Sequence, residues 1–410
     1  MTAARRERAV LLVTATAHFL AHFAMLVFPS LALAIRDDWG RPLPDILGLG
    51  FWMYLLYGLG ALPFGVLTDA LGRPRAMIAG CLAGIGAGSL LAARAATPAG
   101  LRAALAVVGL AASIYHPAGI AWISRVVRER GRGLGLNGVA GNLGVVAAPV
   151  SAGLLAVWLG WRAAYAVLGG VALLAAAWTL RLPVGEERAA DAAAEAGNDR
   201  PHAARAAAFA ALCAAMALGG LAYRGQTVVL PAWIQQRLAE LVRLVEGWHG
   251  LPWQGSTLVA ATVLTSGAYL AGAAGQVAGG RWADRHDLRM VYAGCHAATV
   301  PLLWLVGRLE GWPLLLVAFA YAFFAFGMQP AENSLVAVLT PPRLRSTGYG
   351  LKFVLVFGVG SLAVRLVQRW QPAVGIGGLF PRLALLEMGL VGCVGVLWAL
   401  TRGWRLRNVA

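Results

Sequence analysis

Eight ionisable side chains lie inside long apolar runs of this chain: His18, His22, His116, Arg224, His296, Glu332, Lys352 and Glu387. Such groups are costly in hydrocarbon, so they mark proton movement, ligand contact or a buried pair. His18 and His22 are spaced i, i+4 and share one helix face. That spacing suits a metal ion, but no third ligand is near in sequence and no Asp or Cys stands at the same depth. No metal and no cofactor is therefore expected, and proton or substrate contact is favoured over a simple packing pair. His116 precedes Pro117, which lacks an N–H and bends its helix, so a polar lining residue is expected there. Packing of His18 and His22 between the first and fifth runs would take them out of any open path.

Arg224 needs an acidic partner, backbone carbonyls or an anionic ligand. Glu332 and Lys352 flank one short connection at similar depth. At 1.5 Å per helical residue, both lie roughly 12 Å from the same boundary. An ion pair is expected. A carboxylate that alternates between paired and protonated states could couple proton movement to another step, and a static pair fixing helix register is the alternative. His296 reads as structural, and Glu387 is expected to face a neighbouring helix.

The elements that hold these groups follow from composition. Of 410 residues, 59% are apolar and 13% charged, against about 25% charged in a soluble domain. These figures exclude a soluble fold and a disordered chain. Apolar runs fall at about 9–35, 44–70, 75–96, 99–127, 132–159, 161–182, 206–231, 255–282, 288–310, 312–340, 344–370 and 376–402. Each is long enough to cross a bilayer as a helix. The first is too long for the apolar core of a signal peptide. Gly160, Trp161 and Arg162 make a tight turn between the fifth and sixth. The net charge of +16 could suggest nucleic acid. Most arginines, however, sit at the ends of apolar runs, with no basic stripe among aromatics, so nucleic acid is excluded. They crowd one side roughly twice as densely as the other, which places both termini in the cytoplasm. Cys81, Cys213, Cys295 and Cys393 stand alone in apolar runs and read as packing residues.

The expected fold is an all-α polytopic membrane protein of twelve transmembrane helices in two pseudo-symmetric six-helix bundles. Residues 1–182 form the first bundle, 183–204 a polar cytoplasmic linker, and 205–410 the second bundle. An external amphipathic helix is expected near 233–248. The halves repeat each other. Gly65 and Asp69 recur as Gly280 and Asp284, His116-Pro117-Ala118 as Gln329-Pro330-Ala331, and Gly133 to Asn137 as Gly348 to Lys352, in the same order and at a nearly constant offset. A parallel repeat of this kind implies a two-fold axis along the membrane normal, as in transporters with a path between halves.

These residues resemble the major facilitator superfamily along essentially the whole chain. The family's Gly-x-x-x-Asp-x-x-Gly-Arg-x-Arg loop stands complete as Gly65, Asp69, Gly72, Arg73 and Arg75. The second copy keeps Gly280, Asp284 and Arg285, but has Asp287 and Leu288 where Gly and Arg are expected. The fifth run is similar to the family's antiporter signature through Gly135, Gly144, Pro149 and Gly153, with Ala148 and Ala152 replacing two glycines. His116 to Gly119 followed by Gly141 to Gly144 resembles the fosmidomycin-resistance type of efflux protein. The resemblance implies a non-enzymatic, proton-coupled secondary transporter of the cell inner membrane. It would work as a monomer and export a small organic molecule by alternating access. Helices 1, 4, 7 and 10 would line its cavity, and the Asp69, Arg73 and Arg75 cluster would act as an inner gate. Uptake of an anionic metabolite is the alternative. A membrane-embedded enzyme or receptor is disfavoured, because there is no Gly-x-Ser-x-Gly, no His-Glu-x-x-His and no soluble ligand domain.

Overall fold

The computed structural model describes residues 2–127, 130–182, 202–238, 256–340, 345–404 and 406. Among them the regular structure is entirely helical. Eleven helices are long and apolar enough to cross a membrane: α1 Ala3–Trp39, α2 Leu43–Thr68, α3 Pro74–Ala93, α4 Pro98–Ile123, α5 Gly133–Leu159, α6 Trp161–Arg181, α7 Ala203–Arg237, α8 Thr257–Arg285, α10 Gly311–Leu339, α11 Thr347–Val374 and α12 Leu379–Leu400. The ninth expected run forms α9, Leu288–Val306, which has 19 residues and carries Arg289 in its first turn. The fold expected from the apolar runs is present.

Boundaries follow local chemistry. Gly160, at φ 82°, makes the turn between α5 and α6. Gly72, at φ 61°, ends the helical stretch that closes at Leu71, in a left-handed conformation that a side chain would strain. This is a structural reason for the second glycine of the loop motif. Trp233 to Arg237 complete α7 rather than begin a separate helix, with Trp233 and Ile234 buried. The rest of the expected amphipathic helix, 239–248, and linker residues 183–201 lie outside the described residues.

Two compact units divide the chain. One comprises Met1–Ala192 and Val245–Ser266, the other Ala193–Leu244 and Gly267–Ala410. In the first, α1 packs along α5, α3 along α6, and α3 also on α4. In the second, α7 packs on α11, α9 along α12, and α9 on α10. The same partners recur one half-chain later, so the sequence repeat is also a repeat of helix pairing. It extends to single contacts. Gly65 faces Pro117 and Gly280 faces Pro330, the glycine and proline of the two motif copies.

Close approach explains several glycines. A Cβ at Gly144 would stand 2.3 Å from the Phe19 carbonyl oxygen of α1. Cβ atoms at Gly275 and Gly279 of α8 would stand 1.9 and 1.8 Å from carbonyl oxygens of α10. Small residues at such crossings let backbones touch where lipid gives no hydrophobic drive for association.

Candidate functional site

In the first unit, α1 and α4 bring three imidazoles together. His18 and His22 project one turn apart from α1, and their ring centroids are 4.7 Å apart. His116 of α4 approaches both, at 5.2 Å from His18 and 5.5 Å from His22. One ring nitrogen of each lies within 4.8 Å of the others. His116 is buried and His22 half-buried.

The surroundings orient these rings. His18 Nδ1 lies 2.7 Å from the Asn137 backbone oxygen of α5. A carbonyl only accepts, so the proton sits on Nδ1 and the lone pair on Nε2. The Tyr57 hydroxyl of α2 is 3.0 Å from His116 Nε2. Tyr115 stacks on His18 and donates to the Asn137 side-chain oxygen at 2.6 Å. Gly141 leaves the space that the His18 ring fills. His18 is thus seated among α1, α4 and α5, as a packed residue as well as a member of the cluster. Tyr57, Tyr115 and Asn137 were not singled out in the sequence. Only the alignment of Asn137 with Lys352 in the repeat pointed to one of them.

In the second unit, Lys352 Nζ of α11 lies 2.8 Å from Glu332 Oε1 of α10, and both residues are buried. The expected pair therefore exists. Tyr292 of α9 donates to Glu332 Oε2 at 2.8 Å, and Lys352 also donates to the Asn333 side chain. A further buried pair lies beside it. His296 Nδ1 of α9 is 2.5 Å from Glu387 Oε2 of α12, and the Tyr292 ring meets the His296 ring edge to face at 4.7 Å. Glu387 faces a neighbouring helix, as expected, but its partner is the one buried imidazole of α9. One polar chain thus crosses four helices, from Glu387 through His296, Tyr292 and Glu332 to Lys352. Each member alone would be an expensive burial, and paired they offset much of that cost.

Just beyond Lys352, α11 departs from α-helical geometry. Val354–Gly358 is a π-helical turn and Val359–Ser361 a 3₁₀ turn. α7 presses on this segment, where a Cβ at Gly220 would stand 2.6 Å from the Val356 carbonyl oxygen. Wide turns of this kind cluster at functional sites, and nothing in the sequence periodicity marks this one.

Arg224 of α7 is buried beside Tyr223, whose ring packs on Phe326 of α10. Arg224 belongs to the second unit and the imidazole cluster to the first. In the loop motif, Arg75 donates to the Leu182 carbonyl at 2.7 Å, which ties the start of α3 to the end of α6. The Asp69 side chain lies outside the described residues. In the second copy, Asp287 caps α9 by accepting from the Arg289 backbone N–H at 2.9 Å and pairs with the Arg289 side chain at 2.6 Å. Arg289 also donates to the Thr401 and Trp404 carbonyls. The departure from the motif thus builds a joint between α9 and the end of α12. Gly135, Gly144, Pro149 and Gly153 all lie on α5, and of the two glycines that open the signature only Gly144 meets another backbone closely.

Comparison with known proteins gives a consistent picture. The Major Facilitator Superfamily model matches residues 14–364. The chain is 37% identical over 114 residues to the puromycin resistance protein pur8 of Streptomyces alboniger, a match covering 27% of this chain and 22% of that protein. The inward-facing, unoccupied structure of a bacterial homolog to the human lysosomal transporter Spinster superposes with a TM-score of 0.69 at 16% identity, covering 96% of this chain and 95% of that one. A variant of the nucleoside transporter NupG superposes with a TM-score of 0.72 at 14% identity, covering 95% and 100%. At these identities the likeness is one of fold.

Proposed function

The chain belongs to the Major Facilitator Superfamily, and from that premise we propose that it is a secondary transporter exporting a small organic molecule in exchange for protons. The observation that carries the coupling step is the buried Glu332–Lys352 pair with its Tyr292 donor. The residues that match these two in the first half are Gly119 and Asn137, so the charges are confined to one half. Architecture alone gives no reason for that confinement. When the surrounding helices shift, Glu332 exchanges its Lys352 partner for a proton and returns it on the opposite swing. The distorted turn of α11 next to Lys352 supports such movement, because it has already given up regular helical bonding.

Export is supported by the partial match to a protein named for antibiotic resistance and by the glycines of α5. In this reading His22 and His116, with Arg224, contact substrate or protons, and His18, packed against Asn137 and Gly141 of α5, holds the cluster in place. Asp69, Arg73 and Arg75, with Asp284 and Arg285, gate the inner mouth. The protein acts as a monomer in the inner membrane with both termini in the cytoplasm. Arg224, buried in α7, favours a second reading, proton-coupled uptake of an anionic metabolite.

Flux in proteoliposomes, with and without a pH gradient, across a panel of antibiotics and organic anions tests both readings. Export is expected to rise with the gradient and to lose that dependence in Glu332→Gln, which keeps counterflow exchange. Gradient-driven transport by Glu332→Gln at the normal rate overturns the coupling step. Accumulation of an anion down the proton gradient favours uptake.

A further inference from the structure

The i, i+4 histidines of α1 lack a third ligand in their own neighbourhood of the sequence, but the fold supplies one. His116 stands on α4, far along the chain, yet its ring nitrogen joins those of His18 and His22 within 4.8 Å. We propose that these three imidazoles bind one divalent first-row transition-metal ion, of the zinc, cobalt and nickel class.

Four observations support a site rather than a packed cluster of rings. The donors are all imidazole, the ligand type suited to these borderline ions. Two of the rings are each held by a hydrogen bond at one nitrogen, His18 by the Asn137 carbonyl and His116 by the Tyr57 hydroxyl. Metal-binding histidines are held in this way, since the outer hydrogen bond fixes the tautomer and the direction of the lone pair. With Nδ1–H bonded to the Asn137 carbonyl, His18 offers Nε2, and His116 offers Nδ1 in the tautomer whose Nε2–H donates to the Tyr57 oxygen. The rings also stand on two successive turns of α1 and on the facing α4, with centroids 4.7–5.5 Å apart. Finally, the separations are near what binding requires. Nitrogens about 2.0–2.1 Å from a tetrahedral ion are roughly 3.3 Å apart, so ring rotations moving each nitrogen by about 1 Å complete the set.

Three neutral donors leave the charge of the ion in place and at least one position open. The site therefore takes the ion together with an anionic or water-derived fourth ligand, as three-histidine centres do. This inference concerns equilibrium binding and does not depend on the transport reading.

Purified full-length protein without a polyhistidine tag is titrated with Co²⁺ and followed by its visible absorption. One equivalent should give the intense bands of a four-coordinate ion, and Zn²⁺ should displace it. His22→Gln and His116→Gln should each weaken binding at least tenfold, whereas His286→Gln, an exposed histidine at the end of α8, should leave it unchanged. Absence of the bands in the wild-type protein overturns the proposal, as does wild-type affinity in His22→Gln. X-ray absorption of the wild-type Zn²⁺ complex decides the matter without any variant. Three imidazole ligands support the site, and coordination by carboxylates or water alone overturns it.

Discussion

Lys352 Nζ lies 2.8 Å from Glu332 Oε1 inside the second bundle, with both side chains almost wholly excluded from solvent. Neither charge has water to fall back on, so each depends on the other and on the Tyr292 and Asn333 contacts.

Removing one member should therefore be worse than removing both. Glu332→Leu strands a buried ammonium and should cost about 3–5 kcal/mol. Glu332→Leu combined with Lys352→Met should recover most of that loss. Thermal melts of the purified, detergent-solubilised variants check this, and a double variant less stable than either single one contradicts it.

The His296–Glu387 pair, at 2.5 Å, should behave as a coupled unit. A double-mutant cycle with His296→Ala and Glu387→Ala should return an interaction of roughly 1–3 kcal/mol. Glu387→Gln should be milder than Glu387→Ala, because an amide oxygen still accepts from Nδ1–H. Strict additivity in the cycle would show that the contact carries no energy.

The glycines of α5 should separate by environment. Gly144→Ala drives a methyl to 2.3 Å from the Phe19 carbonyl oxygen. It should destabilise by about 1–3 kcal/mol through forced separation of α1 and α5. Gly135 has open space around it. Gly135→Ala should be neutral or stabilising by up to about 1 kcal/mol, from helix propensity alone. Equal losses at the two sites, measured by thermal melting, would refute the packing account.

At the loop between α2 and α3, Asp69→Asn should slow turnover severalfold while leaving membrane insertion intact, since it removes charge and keeps shape. Gly72→Ala should instead lower stability by about 1 kcal/mol or more, because a Cβ is strained at φ 61°. Initial flux rates normalised to inserted protein distinguish the two effects. Wild-type turnover in Asp69→Asn would reduce that residue to an anchor of topology.

Much of this protein was legible in its sequence, because the bilayer imposes its demands locally. Every backbone polar group in hydrocarbon must be bonded within its own helix, so run length and apolarity revealed the spans without tertiary knowledge. The parallel repeat and the loop motif were legible for a similar reason, since residues such as Gly72 answer to backbone geometry at their own position. The Glu332–Lys352 pair could be anticipated because one short connection joins its helices at matched depth. The remaining relationships join residues far apart in the chain. His116 reaches His18 only because α4 packs beside α1, and Glu387 finds His296 only because α12 packs along α9. Tyr57, Tyr115 and Tyr292 look like ordinary apolar-run aromatics until the fold aims their hydroxyls at buried imidazole, amide and carboxylate groups. The π turn of α11 arises where Gly220 lets α7 press against it, a packing event with no local sequence period. Side-chain type and spacing fixed what each helix could offer. Which offers met was decided by helix packing, because the energy of burying a polar group depends on the partner brought to it from elsewhere in the chain.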